Sequence, residues 1–329
     1  LEKAIFYYRL AISYKPNYPS AHWNLSLALL SDGNFSEGWS EYEWRFFSRA
    51  YKDIRNDFLL SGEGFKRWQG ESLKGKSLLV IAEQGRGDAI QFVRFLPLLK
   101  KQKCRLILQV REELIPLFKC MPEIDSFCTS LREAEHCDYY FQLMSLTDYF
   151  KLEETDIIKS GKPYLSTNIQ ITVPSSERKL KVGFAYKGSE HHTHDKYRSI
   201  KPEQLLPLVT QPDCQFYSLQ KETSSFVTPI TEKVIDLKPF MQDFAYTAAL
   251  IMQMDLIITV DTALAHVAGA LGKPTWILIS TKPDWRWMLD RTDSIWYPSV
   301  RLYRQTKSDS WSDVIEDIRR DLEAMVQER

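Results

Sequence analysis

The spacing of apolar side chains changes character along the chain. Over roughly the first fifty residues, apolar and small positions recur at steps of three and four, the mark of helices that bury one face. Ala4, Tyr8 and Ala11 define one such helix, stopped by Pro16, and Ala21, Leu25 and Leu29 define a second. Gly33 supplies a turn, and Gly38 and Tyr42 repeat, 34 residues on, the small and aromatic positions of Ala4 and Tyr8. Such a period predicts paired helices in an array, with small residues allowing close approach and aromatics filling the gap between them. Arg45 and Ala50 interrupt the pattern, so residues 1–60 are expected to end the array. Trp39, Trp44, Phe46 and Phe47 are expected to dock its last helix on the neighbouring domain.

From Lys76 the pattern becomes short, continuous apolar runs alternating with helical stretches. "SLLVIAE", "CRLILQV", "IDSFCT" and "CDYYFQLMSL" have strand length, and "GDAIQFVRFLPLLKK" and "REELIPLFKCM" have helical spacing. After the polar stretch "TVPSSERK" the rhythm repeats with strands "LKVGFAYKG", "CQFYSLQ", "LIITV" and "PTWILIS" and helices "KPEQLLPLVTQ", "DFAYTAALIMQMD" and "DTALAHVAGALG". Continuous apolar strands alternating with helices predict parallel sheets covered on both faces. Two Rossmann-like domains are therefore expected, residues 61–175 and 176–329, with the carboxyl ends of their strands facing a shared cleft. A closing amphipathic helix, "SWSDVIEDIRRDLEAMVQE", is expected to be capped by Ser310 or Ser312.

Composition narrows the partners. With 43 basic and 43 acidic residues the formal charge is zero, so no long-range field favours nucleic acid or an anionic membrane, and any anion must be bound locally. Five cysteines, none in a C-x-x-C pair, point to reduced thiols and a cytoplasmic protein. No apolar run approaches the roughly 20 residues of a membrane span.

Four stretches carry candidate chemistry. In "EQGRGDAIQ", Gln84, Gly85 and Gly87 form the strand-to-helix loop, the glycines permitting tight turns, and Asp88 falls in the first turn of the helix. Asp88 has two readings there, a helix cap or a general base; the helix amino terminus is expected to lower its pKa. In "LIITVDTALAHVAGALG", Asp261 and Thr262 follow a strand end where helix N–H groups can meet a phosphate or ribose. Asp261 is read as the helix cap with His266 packed, or His266 shares a face with Thr262 as a ligand contact. In "YKGSEHHTHDKYRSIKP", Lys187, Lys196, Arg198 and Ser199 gather charge and donors suited to a diphosphate, or else form a solvated loop. His191, His192 and His194 lack the partners of a tetrahedral site, so no metal is expected. In "SLQKE", Glu222 is either a ribose acceptor or a surface charge. The aromatic and arginine cluster from Trp285 to Tyr297 is expected to seal a junction.

Taken together, "EQGRGDAIQFVRFLP", "HDKYRSI", "LQKE", "ITVDTALAHVAGALGKPTW", "DWRW" and "WYPSVRLYRQ" resemble bacterial proteins that join tetratricopeptide repeats to a domain similar to glycosyltransferase family nine. The best-known members of that family are the ADP-heptose:lipopolysaccharide heptosyltransferases. The resemblance implies an α/β architecture, a GT-B fold of two Rossmann-like domains preceded by an α-helical tetratricopeptide-repeat segment. It implies inverting transfer from a nucleotide-diphosphate sugar, as co-substrate, without a cofactor or metal. On the matching motifs Asp88 is the base, Asp261, Thr262 and His266 bind the donor, Glu222 meets the ribose, and Lys196, Arg198 and Ser199 lie near the phosphates. Lys187 joins them by charge and place. The expected acceptor is a protein or glycan bound along the repeats. Two other readings stay open: a non-catalytic repeat scaffold with a silent transferase-like domain, and an epimerase acting on the sugar nucleotide alone.

Overall fold

The structure, a computed structural model, describes residues 1–47, 66–134, 137–174, 179–189, 195–221, 233–308 and 310–328. The chain forms two compact units, one comprising Leu1–Ile115, Met121–Ser160 and Asp284–Asp290, the other Pro116–Cys120, Gly161–Pro283 and Arg291–Arg329.

The first unit opens with α1 (Glu2–Tyr14), α2 (Pro19–Ser31) and α3 (Phe35–Tyr42). Pro19 occupies the first turn of α2, where a missing N–H breaks no helical bond. Ile5, Tyr8 and Ile12 of α1 pack on Leu25, Ala28 and Leu29 of α2. Asn34 caps α3 by accepting the Glu37 N–H. Trp39 is buried, meets Phe92 edge-on and donates its indole N–H to the Leu152 carbonyl at 2.9 Å. Trp44, expected to dock beside it, instead stacks on His22 of α2 with centroids 3.8 Å apart, and Phe47 is exposed.

Among the described residues, five parallel strands follow in the same unit: β1 (Lys66–Arg67), β2 (Ser77–Ile81), β3 (Arg105–Gln109), β4 (Ser126–Cys128) and β5 (Tyr139–Gln142), in the order β1-β5-β2-β3-β4. Winding therefore reverses between β2 and β5. Leu78, Leu79 and Val80 are wholly buried, as a strand covered on both faces requires. The long helix expected after β2 is broken into α4 (Arg86–Phe92), a 3-10 turn at Val93–Phe95 and a short helix at Leu96–Lys100. Pro97 is the cause, since it offers no N–H and its ring crowds the carbonyl one turn back.

The second unit holds β6 (Leu180–Ala185), β7 (Cys214–Ser218), β8 (Val234–Asp236), β9 (Leu256–Val260), β10 (Thr275–Ile279) and β11 (Val300–Arg304). All pair in parallel in the order β11-β10-β9-β6-β7-β8, the doubly wound arrangement of dinucleotide folds, with its reversal between β6 and β9. Its helices include α5 (Asp195–Arg198), α6 (Phe244–Met252), α7 (Ala263–Ala270) and α8 (Ser312–Gln327). α8 buries Val314, Ile318 and Leu322 in the same core as Val182, Phe216 and Leu256. Neither expected serine caps it: Trp311 holds the cap position without a side-chain bond, and Ser312 is already helical. Among the described residues no helix is long and apolar enough to cross a membrane.

Candidate active site

In the first unit the chain leaves β2 through Ala82, Glu83 and Gln84 before entering α4. The tight turn rests on Gln84, at φ 71° in the left-handed region, not on the glycines expected to make it. A bond from Gln84 Nε2 to the Tyr42 hydroxyl at 2.7 Å helps to hold this unfavourable backbone in place. Gly85 is the cap residue, and Asp88, third in the helix, accepts the Gly85 N–H on Oδ2 at 2.8 Å. Its Oδ1 is ion-paired with Nη2 of Arg286. Arg286 thus belongs to the first unit through the returning segment Asp284–Asp290, and its side chain is only 7% exposed. Its Nε donates to Gln91 Oε1 at 2.5 Å and its Nη1 to Asp284 Oδ1 at 2.9 Å. Burial pushes the Asp88 carboxyl above the usual carboxylate range, and Arg286 offsets only part of that rise. The lowering expected from the helix terminus is therefore outweighed by desolvation.

A second ion pair lies beside this turn, at the reversal between β2 and β5. Arg45 is fully buried and donates to Glu83 Oε1 at 2.8 Å, Ser145 Oγ at 2.7 Å and Glu43 Oε1 at 2.6 Å. Glu83 Oε2 accepts the Leu143 N–H at 3.1 Å, and Glu43 Oε2 accepts from Arg67 at 2.8 Å. Burial drives Glu83 upward in pKa against the pull of Arg45. For Glu43, burial is overcome by Arg45, Ser145 and Arg67, and the carboxyl ends below its ordinary value.

In the second unit the loops after β6, β7, β9 and β10 gather polar side chains. Gln220, just past β7, accepts the Tyr186 and Lys187 N–H groups at 3.3 and 3.1 Å and returns a bond to the Lys187 carbonyl at 3.1 Å. Gly188 N–H donates to Ser199 Oγ at 3.1 Å. Arg198 donates to Asp195 Oδ1 at 3.2 Å and to the Asp261 carbonyl at 2.8 Å, tying the loop after β6 to that after β9. Lys196 and Lys282 place their ammonium groups 4.8 and 4.0 Å from the Tyr197 ring centroid and pull its phenol pKa down. Thr262, not Asp261, is the cap of α7, accepting the Leu264 N–H at 3.3 Å; Asp261 precedes it, half-buried. His266 is buried one turn along, with Nδ1 2.9 Å from the Tyr297 hydroxyl.

The structure thus brings Lys187, Arg198, Ser199, Asp261 and Thr262 to the carboxyl ends of β6 and β9, with His266 behind them. Asp88, Gln84, Gly85 and Gly87 are grouped in the first unit. Glu222, His191, His192 and His194 lie outside the described residues. Sequence reasoning passed over Arg45, Glu83 and Lys282, and it assigned Arg286 to a junction. The signal for Arg286 was its aromatic company, but its partner Asp88 stands 198 positions away.

Gly269 offers a direct check on His266. A Cβ there would lie 2.5 Å from the Tyr297 ring, so Gly269→Ala must displace the residue that bonds the imidazole. The expected loss is about 1–3 kcal/mol in urea unfolding, and an unchanged midpoint would show that Tyr297 yields freely.

Residues 226–283, a stretch that includes Asp261, Thr262 and His266, match the model of glycosyltransferase family 9 (heptosyltransferase). Protein FlbA of Caulobacter vibrioides is 27% identical over 318 residues, covering 86% of this chain and 51% of FlbA, so the chain spans about half the length of that curated relative. Among solved structures, E. coli ADP-heptose lps heptosyltransferase II superposes with a TM-score of 0.54 at 16% identity, covering 77% of this chain and 99% of its own. The glycosyl transferase family 9 protein of Veillonella parvula superposes with a TM-score of 0.53 at 13% identity, covering 79% and 100%. The chain is thus similar to glycosyltransferase family 9 over residues 226–283 and shares the fold of these solved structures. The α/β fold with parallel sheets matches that of these GT-B heptosyltransferase neighbours.

Proposed function

We propose that the protein moves a sugar from a nucleotide-diphosphate donor to a protein or glycan acceptor, with inversion and without a metal. The observation that carries the donor half is Arg198, which joins the loops after β6 and β9 where winding reverses, the place at which such sheets take nucleotides. Lys187, Lys196, Arg198 and Ser199 would face the diphosphate, Asp261, Thr262 and His266 the rest of the donor, and Glu222 the ribose. As the bond to the sugar breaks, charge grows on the phosphates, and cations held in advance stabilise it. Asp88 would take the acceptor proton, with Gln84, Gly85 and Gly87 on the acceptor side, and its raised pKa makes it a stronger base than an ordinary aspartate.

Thermal melting with ADP, UDP and GDP and their sugars tests the donor half. At a hundred times its dissociation constant a ligand adds about 2.7 kcal/mol of stability. At least one should raise the melting point, and His266→Ala or Asp261→Ala should diminish the rise; no shift with any of them removes the donor assignment.

The helical segment is assigned to the end of a tetratricopeptide array. Supporting this, Gly38 packs on Leu30 so closely that a Cβ would sit 2.7 Å from it, the role of the small position in paired helices. Phe6, Tyr7 and Tyr14 on α1 are exposed and offer an acceptor peptide an aromatic face. Buried thiols at Cys104, Cys128 and Cys214 suit a reducing cytoplasm.

One observation favours the second reading, a silent scaffold: Asp88 is already ion-paired and mostly buried. A scaffold would bind a nucleoside diphosphate and turn over no sugar on any acceptor, with or without Asp88→Ala.

A further inference from the structure

A carboxylate has two oxygens and about four lone-pair sites. In Asp88 the Gly85 N–H takes one on Oδ2 and Arg286 one on Oδ1, so each oxygen keeps capacity for an incoming hydroxyl, and the side chain is still 18% exposed. The torsion that swings a carboxylate is soft, but donors on both oxygens set its plane.

Arg286 is itself held on every side. Gln91 and Asp284 accept from its Nε and Nη1, and its guanidinium lies 4.2 Å from the Trp285 ring centroid and 5.7 Å from that of Phe92. Asp284 also accepts the Arg286 backbone N–H at 3.0 Å, capping the short turn Trp285–Trp287. A planar fork fixed in this way dictates the angle as well as the distance of its carboxylate partner.

We propose that Arg286 is the positioning residue of Asp88, keeping its carboxylate ionised and in one orientation for the acceptor. The inference rests on Asp88 as the general base. Among the described residues, the titratable groups around Asp88 are Arg286, Asp284 and the Tyr42 phenol, and of these Arg286 alone carries positive charge. Without it, only backbone N–H groups, that of Gly85 among them, oppose burial and Asp284, so the carboxyl must protonate at higher pH.

The test uses the full chain labelled with carbon-13 at the aspartate carboxyls, with the Asp88 signal identified by its loss in Asp88→Asn. In Arg286→Gln the titration midpoint of that signal should rise by about 1–3 pH units. Arg286→Lys, which also serves if the glutamine variant does not fold, should bring the midpoint most of the way back. A point charge does not set the plane, so hydrolysis of ADP- and UDP-sugars should stay about ten- to a hundredfold slow in Arg286→Lys, in kcat and not KM. The idea is overturned if Asp88 titrates at the same pH in a folded Arg286→Gln protein, or if Arg286→Lys turns over at the full rate. A shifted Asp88 signal together with undiminished turnover in Asp88→Asn supports the hold of Arg286 and overturns the base assignment instead.

Discussion

Asp88→Asn is expected to slow sugar turnover about a hundred- to ten-thousandfold, the usual worth of a positioned proton acceptor. Asparagine nearly matches aspartate in shape and can still accept the Gly85 N–H, so α4 keeps its cap while the proton acceptor is lost. Nucleoside diphosphate affinity, proposed for the second unit, should be unchanged. Turnover and binding measured on one preparation check both halves of this statement, and equal turnover in variant and parent defeats it. The pH dependence has a definite sign. A base works only when ionised, so turnover is present above the folded pKa of Asp88 and lost as pH falls through it. Because burial raises that pKa, the acidic limb should lie above the ordinary aspartate value of about 3.9. Stability runs the other way: the folded state holds this proton more tightly than the unfolded chain. Its stabilising contribution is therefore complete below about 3.9 and disappears as pH rises through the folded pKa.

Arg45→Met should cost about 3–5 kcal/mol, because it takes from the buried, charged Glu83 the cation it pairs with. The Ser145 hydroxyl and the Leu143 N–H cannot replace a full charge. The double variant Arg45→Met, Glu83→Leu should recover most of the loss, since two apolar side chains fill the space without a charge to desolvate. Glu43 keeps Arg67 in either case. Urea midpoints at constant slope measure both changes. A single variant as stable as the parent would mean that Glu83 takes up a proton readily when Arg45 is gone.

Several elements were legible because they rest on local rules. The runs that become β2, β3, β6, β7, β9 and β10 were visible as continuous apolar stretches, since a strand covered on both faces has no polar side to show. β11 was not, because its sequence "VRLYR" alternates, as suits an edge strand with one neighbour. The cap of α7 was misplaced by one residue, for Asp261 and Thr262 are both good caps and only backbone geometry selects between them. Glycine is the usual left-handed residue, so the sequence points to the glycines for the strand-to-helix turn, whereas here a glutamine takes that role, assisted by the bond its Nε2 donates to the Tyr42 hydroxyl 42 positions earlier.

Local periodicity by itself determined the alternation of strands and helices, the parallel pairing that such alternation demands, and the placement of Asp88 and Asp261 just beyond strand ends. Each of these depends on neighbours within a few residues or on burial that a run of side chains records directly. Only the tertiary structure decided which distant cations the buried carboxylates meet. Arg286 reaches Asp88 from 198 positions away, and Arg45 reaches Glu83 from 38. No spacing rule encodes such partners, because an ion pair is set by where two chain segments come together in space and by how thoroughly water is excluded there.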